Sequence, residues 1–346
     1  MTIVLTLDYE LFLGEQTGNV DDCMIEPVRE LASILKLNDS KMTIFWDISH
    51  YMRLQELAPG NKKCRNDLEK IKESILSLAG AGHDIQMHIH SHWINSDFVN
   101  DSWVLNYDFF RLHNLELKTA KKGVILDYLQ KAVFTMEEVI KPVIPGYKVT
   151  MFRAGGYLLE PFELLIDAFK ELGIRIDSSI LPGITYNNHE LTGFDYKNYP
   201  QKPYYRFNNS PKTEDINGYF YEIPVTTVKI PAWKNFIFRI QRKTVYRNLN
   251  KNLPGSSMNH VYYKKLTLLD RLFLMLKPVT VQFTLDSNFT GQVKYFLKKS
   301  PEYSVMIVHS KLFRQLHFQI MKKLITQQNI KFISLKDYVC KEQILE

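Results

Sequence analysis

The chain has 346 residues, of which 45% are apolar and 23% are charged, and its formal net charge is +7. This composition excludes low-complexity disorder and fibrous repeats, and the length suits one large α/β barrel or two ordinary domains. Three scattered cysteines form neither a disulfide framework nor a CxxC metal site, which indicates a reducing compartment. The sequence opens on a strand pattern, and no apolar run reaches the ~18 residues of a membrane span, so we expect a cytoplasmic protein without a signal peptide.

Strand and helix patterns alternate along the chain. Strands are predicted at 3–7, 43–46, 85–89, 148–152, 174–176, 219–228, 279–284, 304–308 and 331–334, and helices at 23–37, 67–78, 118–140, 161–172 and 313–325. Such alternation implies parallel βαβ units, closed as a barrel or open as a doubly wound sheet. We expect a distorted (β/α) barrel with about seven parallel strands. No glycine-rich phosphate motif follows the first strand, so nucleotide-binding folds lose their main support.

Residues 1–346 are predicted to form a single catalytic domain that carries long inserted loops. The inserts lie near 93–117 and 183–218 and are rich in Asn, Tyr and Asp. Loops of this length in a compact domain are usually functional or mobile.

A basic segment spans residues 229–277. It contains eleven Lys or Arg against one acid, a net charge of +10, and aromatic and aliphatic residues lie between the cations. This pattern is typical of interfacial segments and predicts contact with anionic lipid head groups or a pyrophosphate-linked glycan. The alternative is a solvated basic face. Nucleic acid is not expected, because no binding motif accompanies the charge.

Polar residues stand at the carboxyl end of nearly every predicted strand, where α/β barrels place their active sites. These residues are Asp8 and Glu10; Asp47, Ser49 and His50; His88, His90 and His92; Arg153; Asp177; and His309. Each can bind a metal or move a proton, so we expect the catalytic site at this edge.

The histidine run is the most specific of these signals. A triple at i, i+2, i+4 is expected by chance in roughly one such chain in a hundred. If the segment stays extended, His88, His90 and His92 share a face; if the chain turns after His88, His88 and His92 converge and His90 points elsewhere. Imidazoles with a nearby carboxylate suit a divalent ion such as Zn²⁺. The alternative is three polar histidines on a solvated loop.

Asp8 and Glu10 alternate with Tyr9 and so face the same way on an extended chain. That spacing allows one carboxylate to bind a metal while the other acts as a general base.

Five motifs occur in order between residue 3 and about residue 335. They are Thr6-Leu7-Asp8-Tyr9-Glu10; Gly82-His83-Asp84 leading to His88-x-x-x-His92; Phe152-Arg153-Ala154-Gly155-Gly156-Tyr157; Asp177-Ser178-Ser179; and Val308-His309-Ser310. As a set they resemble the polysaccharide deacetylase superfamily, or NodB homology domain, which includes chitin and peptidoglycan deacetylases, in a divergent D-x-E branch. The resemblance implies a distorted (β/α) barrel and a metal-dependent removal of an acyl group from an N-acylated sugar.

The resemblance also implies a role for each motif residue. Glu10, His88 and His92 would be the metal ligands, which leaves His90 outside the ligand set. The other implied roles are general base for Asp8, orientation of that base for Arg153, general acid for His309, tuning of that histidine for Asp177, and an oxyanion donor near Gly156 and Tyr157. Trp93, next to the histidine run, is a candidate stacking face for a sugar.

We therefore expect a metal-dependent hydrolase with one divalent ion, zinc, that removes N-acetyl groups. Its substrate would be an amino-sugar glycan or a lipid-linked or nucleotide-linked intermediate of envelope polysaccharide or lipopolysaccharide synthesis, met at the inner face of the membrane. The alternatives are a non-catalytic glycan-binding or membrane-binding member of the same fold, or a hydrolase of another non-peptide C–N bond.

Overall fold

The computed structural model describes residues 1–186, 193–249, 251, 253–256, 267 and 276–345. The strands are β1 Thr2–Tyr9, β2 Thr43–Asp47, β3 Asp84–Ile89, β4 Asp97–Val99, β5 Ser102–Val104, β6 Met151–Ala154, β7 Ile176–Asp177, β8 Thr185–Tyr186, β9 Phe194–Asp195, β10 Tyr205–Phe207, β11 Phe220–Glu222, β12 Thr227–Ile230, β13 Val279–Gln282, β14 Tyr303–His309 and β15 Lys331–Ile333. The helices are α1 Glu26–Lys36, α2 Ile48–Leu57, α3 Lys62–Gly80, α4 Asn114–Thr119, α5 Val124–Ile140, α6 Ile166–Leu172, α7 Ala232–Thr244, α8 Thr290–Lys299, α9 Gln315–Ile325 and α10 Leu335–Lys341.

A nine-stranded sheet forms the centre of the fold. Its order is β10-β11-β7-β6-β3-β2-β1-β14, with β15 beside the start of β1. Only β10 runs antiparallel, so eight strands are parallel where about seven were predicted. Helices cover the parallel strands, and β1 is buried along nearly its whole length, as expected of a strand with both faces covered. The predicted distorted (β/α) barrel is confirmed.

The ring is completed irregularly by the segment that follows β11. The Ile223 N–H donates to the Asp177 carbonyl at 2.9 Å, and the Thr226 N–H donates to the Val305 carbonyl in β14 at 3.1 Å. A parallel bridge between Thr284 and Ile307 adds the chain beyond β13 to the same side. Residues 223–226 thus connect β7 to β14 with few ladder bonds, which accounts for the distortion of the barrel.

The helices that cover this sheet bury an apolar face against it. In α1 the buried positions are Val28, Leu31, Ile34 and Leu35, which repeat at the three- and four-residue spacing of a helix. No helix in the described part of the chain has both the length and the apolar character to cross a membrane.

The basic segment is described only in part. Residues up to 249 form β12 and α7, where Trp233 and Ile240 are exposed, whereas positions 250, 252, 257–266 and 268–275 lie outside the described residues. The contact of this segment with anionic lipid stays a prediction.

Candidate functional site

The strand register brings the polar strand ends together at one edge of the barrel. Asp8 in β1 is the register partner of His309 in β14, and His88 in β3 is the partner of both Asp47 in β2 and Arg153 in β6. Of these neighbours, Asp8 and His309 line a cavity of about 510 Å³. The gathering follows from parallel pairing, because parallel strands end at the same edge of a sheet.

Glu10 contacts two imidazoles at the edge of this cavity. Its Oε2 lies 3.3 Å from Nε2 of His88 and also contacts Nε2 of His90. One side-chain donor atom from each of the three residues lies within 4.8 Å of the other two. Asp8, Glu10 and His309 form a second such group. The two carboxylates do share a face, as the alternation around Tyr9 predicts.

His92 is not part of the group around Glu10. The chain leaves β3 at Ile89 and turns through a short 3₁₀ helix, Ser91–Trp93, so His88 and His90 keep their common face while His92 turns away. The ring of His92 packs 4.5 Å from that of Phe110, and burial holds its pKa well below the ordinary value. In the structure His90, not His92, therefore lies beside Glu10. The pair His88 and His92 would converge only if the chain turned directly after His88, whereas the turn begins at Ser91.

Arg153 is fully buried and holds Asp8 in place. Its NH1 donates to Asp8 Oδ1 at 2.7 Å and to Thr6 Oγ1 at 3.0 Å, while its Nε donates to the Ser178 carbonyl at 2.8 Å. The guanidinium also stacks on Phe45, 4.0 Å from the ring centre. Burial alone would raise the pKa of Asp8, but the positive charges of Arg153 and of two nearby histidines together outweigh it, so the pKa lies below the ordinary value.

His309 lies between two carboxylates. Its Nδ1 is 2.6 Å from Oδ2 of Asp286, and its Nε2 is 3.4 Å from Oδ2 of Asp8. Burial disfavours the imidazolium, but Asp286 and the two carboxylates of the cavity together outweigh that effect and raise the pKa of His309. Asp286 thus makes the contact that the motif resemblance implied for Asp177.

Asp177 instead holds Ser179, whose hydroxyl contacts β6. No hydrogen bond or ion pair joins it to His309 among the described residues. It accepts from the backbone N–H of Ser179 at 2.8 Å and from the Ser179 hydroxyl at 2.7 Å, and that hydroxyl accepts from the Ala154 N–H at 2.8 Å. Burial raises the pKa of Asp177, and burial together with Asp177 raises the pKa of Glu222 well above its ordinary value. The predicted tuning role of Asp177 is corrected to support of the chain beside Arg153.

Trp93 is completely buried and is not a sugar-stacking face. Its Nε1 donates to Oδ2 of Asp47 at 2.7 Å, and Oδ1 of Asp47 accepts from the backbone N–H of His90 at 3.2 Å. Asp47 and Trp93 together fix the turn that presents His90 to the cavity.

Gly156 and Tyr157 line the cavity, and the oxyanion donor expected near them stays a prediction. Both have left-handed backbone conformations, with φ angles of 61° and 63°. Their turn carries the chain over the cavity directly after β6, where Arg153 lies.

Three residues of the site were not assigned from the sequence: His90, Asp286 and Lys311. Nζ of Lys311 lies 2.6 Å from Oε1 of Glu10 and donates to the Leu11 carbonyl at 2.9 Å. A signal existed for each. His90 belongs to the histidine run, Asp286 follows the strand predicted at 279–284, and Lys311 stands two residues after His309.

The donors around Glu10 fit a divalent metal ion. His88 Nδ1 lies 2.8 Å from the Arg153 carbonyl, so Nδ1–H donates there and Nε2 is left facing Glu10. Metal-binding histidines are typically oriented by such a bond from the other ring nitrogen. Burial opposes charge on His88, but Asp8 and Glu10 outweigh it and raise its pKa to about 9. Two imidazoles and one carboxylate beside a further carboxylate are a donor set that zinc accepts.

Compared with protein-family models and with curated proteins, the sequence has no match. Among solved structures it is similar to a protein assigned as a polysaccharide deacetylase from Mycobacterium smegmatis, at 13% identity and a TM-score of 0.47 over 99% of this chain and 90% of that one. An allantoinase gives 12% identity and a TM-score of 0.46 over 99% and 90% of the two chains. A polysaccharide deacetylase from Bacillus cereus gives 11% and 0.38 over 96% and 91%.

Proposed function

We propose that this protein is a metal-dependent hydrolase that removes N-acetyl groups from an amino-sugar-containing glycan or a lipid-linked or nucleotide-linked sugar intermediate. The observation that carries the proposal is the separation of two carboxylates, Asp8 near the end of β1 and Glu10 directly after it. Asp8 is bound by Arg153 and faces His309, whereas Glu10 faces the imidazoles of His88 and His90. This separation supports proton transfer at Asp8 and metal binding at Glu10.

Glu10, His88 and His90 are the residues that would hold the ion, for which we propose zinc. A bound zinc ion lowers the pKa of water and polarises a carbonyl group, which is the activation that hydrolysis of an amide needs.

Asp8 is the proposed general base. It is buried at 2% exposure, ionised and aimed by Arg153, so it can take a proton from the attacking water without first losing one. General base catalysis of this kind contributes roughly 10²–10⁴-fold.

His309 is the proposed general acid for the departing amine. Asp286 fixes the ring through Nδ1 and favours the imidazolium, so the opposite nitrogen, Nε2, carries a proton toward the cavity. Hydrolysis then breaks the C–N bond of the N-acetyl group and yields acetate and a free amino sugar. The backbone beside Gly156 and Tyr157 is the proposed place of the oxyanion donor, a contact worth roughly 3 kcal/mol in known cases.

The wall of the cavity is suited to a sugar that carries an acetyl group. It is largely apolar and aromatic, with Phe12, Phe110, Leu181, Tyr186 and Phe194 around the charged strand ends. Aromatic faces stack on the C–H faces of pyranose rings, and a few convergent polar groups then fix orientation.

The test is acetate release from a panel of N-acetylated substrates by the full chain. Chitooligosaccharides, peptidoglycan fragments and nucleotide-linked N-acetylhexosamine are incubated with metal-replete protein, with chelator, and with chelator followed by zinc. We expect release that chelator abolishes and zinc restores, and an inactive Asp8→Asn variant that still binds zinc. Folded, zinc-loaded protein that releases no acetate from any member of the panel would contradict the proposal.

A further inference from the structure

A second cavity of about 490 Å³ lies behind β13, next to the site just described. It is enclosed by α7, β13, α8 and the loop between β13 and α8. Its volume is within the roughly 300–1,000 Å³ usual for small-molecule sites. Its polar lining residues are Asn235, Arg239, Arg242, Lys243, Gln282, Thr284, Asp286, Asn288 and Gln292.

Three cations of α7 line this cavity, and none of them has a carboxylate partner among the described residues. Arg242 is half-buried and donates to Oδ1 of Asn288 at 3.2 Å and to Oε1 of Gln292 at 3.3 Å. Nε of Arg239 donates to Oδ1 of Asn235 at 3.1 Å. These amide oxygens orient the guanidinium groups but do not neutralise them, and within the described ranges no carboxylate forms an ion pair with either arginine or with Lys243.

The single acid in the lining is already engaged. Asp286 accepts from the backbone N–H of His309 at 3.0 Å and pairs with its ring at 2.6 Å. The cavity therefore presents three cations and five neutral hydrogen-bonding side chains to whatever enters it. Guanidinium groups held in place in this way match the geometry of phosphate oxygens.

The two cavities share a wall. Val281 and Gln282 of β13 line both of them, and Asp286 lines the second while it holds the His309 of the first. The two cavities are therefore neighbours on either side of β13.

We propose that this cavity binds the phosphate or diphosphate group of a phosphorylated amino-sugar substrate. The inference rests on the proposed function and narrows it to one substrate class. A lipid diphosphate and a nucleotide diphosphate offer the same oxygens to the arginines.

The first experiment measures binding without turnover. Inorganic pyrophosphate is titrated into the full chain by calorimetry, for the wild type and for Arg242→Gln, Lys243→Gln and the control Arg247→Gln. Arg247 is exposed beyond the end of α7 and does not line the cavity. Loss of a charge-assisted contact should weaken binding about tenfold to a hundredfold for Arg242→Gln and several-fold for Lys243→Gln, with Arg247→Gln unchanged.

Lys243→Gln keeps the test decisive if Arg242→Gln fails to fold. Its fold should be unaffected, because the Lys243 side chain is exposed and makes no hydrogen bond in the described structure. Equal affinity in all four proteins, or no binding of pyrophosphate by the wild type, would overturn the inference.

The second experiment separates the sources of the phosphate. Acetate release is compared for a nucleotide-linked N-acetylhexosamine in solution, a lipid-linked diphospho-N-acetylhexosamine in neutral vesicles, and the same sugar without phosphate. Faster acetate release from one phosphorylated sugar than from the unphosphorylated one supports the inference if Arg242→Gln abolishes the difference. The phosphorylated sugar that is preferred then identifies whether the phosphate comes from a nucleotide or a lipid. Equal release from the unphosphorylated sugar overturns it and leaves the deacetylase proposal standing. Pyrophosphate binding without acetate release from any substrate contradicts the deacetylase proposal alone.

Discussion

Asp286 receives both the backbone N–H and the ring Nδ1 of His309, at 3.0 and 2.6 Å. One carboxylate therefore fixes the position, the ring orientation and the proton of the proposed general acid. Hydrogen bonds to a charged acceptor are among the stronger ones in proteins, and here the side chains of His309 and Asp286 are only 14% and 6% exposed.

Asp286→Asn should lower the deacetylation rate about tenfold to a thousandfold while leaving the zinc content unchanged. The amide no longer favours the imidazolium, so the protonated fraction of His309 falls and the acid step slows. Steady-state kinetics and elemental analysis on the same preparation measure the two quantities. Asp101→Asn, the same change at an exposed residue, is the control; loss of zinc in Asp286→Asn would contradict this division of roles.

His90→Ala should lose zinc and His92→Ala should keep it. His90 contacts Glu10 directly, whereas His92 packs against Phe110 outside that group. Removing one ligand of three weakens zinc binding by far more than removing a ring that makes no bond to the ion. Dialysed samples of both variants and of the wild type are compared for metal per chain. Zinc retained by His90→Ala and lost by His92→Ala would restore the ligand pair that the motif resemblance implied.

Gly155→Ala should weaken zinc binding about tenfold or more although residue 155 makes no contact with the ligand atoms. A Cβ at this position would overlap the carbonyl oxygen of Ile89 and lie 2.6 Å from Nδ1 of His90. The strand end and the His90 ring must therefore move, and supporting shells of metal sites tolerate such movement poorly. Zinc affinity by competition with a chelating dye measures the effect. At Gly60 an added Cβ meets nothing within 4 Å, so Gly60→Ala should match the wild type.

The free energy of unfolding should fall as the pH rises from about 4 through about 6, because the buried carboxyl group of Asp84 loses its proton in that range. Burial raises the pKa of Asp84 to about 6, although Gln86 and Thr43 donate to its carboxyl group. Because its folded pKa lies above its unfolded value, the folded state binds more protons in that window, and the associated stability is lost on deprotonation. Two pKa units correspond to about 3 kcal/mol.

Asp84→Asn removes this titration, so the free energy of unfolding should depend less on pH in the variant. Urea unfolding at pH values of about 4 and about 7 measures the difference, with Asp101→Asn as the matched exposed control. Identical pH dependence in the wild type and Asp84→Asn would show that the carboxyl group stays ionised when buried.

Much of the fold and of the site could be predicted from local sequence patterns. Strands that are buried on both faces must be apolar throughout, and helices on a sheet must repeat apolar residues every three or four positions, so their order could be predicted from one chain. The polar residues at the strand ends could be predicted too, because parallel strands end at one edge. On that basis the sequence placed Asp8, Glu10, His88, Arg153 and His309 together, and the structure does so.

The tertiary structure decided which of those residues touch. His90 rather than His92 meets Glu10 because β3 stays extended to Ile89 and the Asp47–Trp93 contact fixes the turn that follows. Asp286 rather than Asp177 holds His309 because residues 223–226 bring the chain beyond β13 against β14, and no local pattern encodes that closure. Periodicity and strand order are local properties that a sequence determines by itself. The point at which a chain turns, and the side on which a distorted barrel closes, depend on contacts between residues far apart in the chain, and only packing determines those.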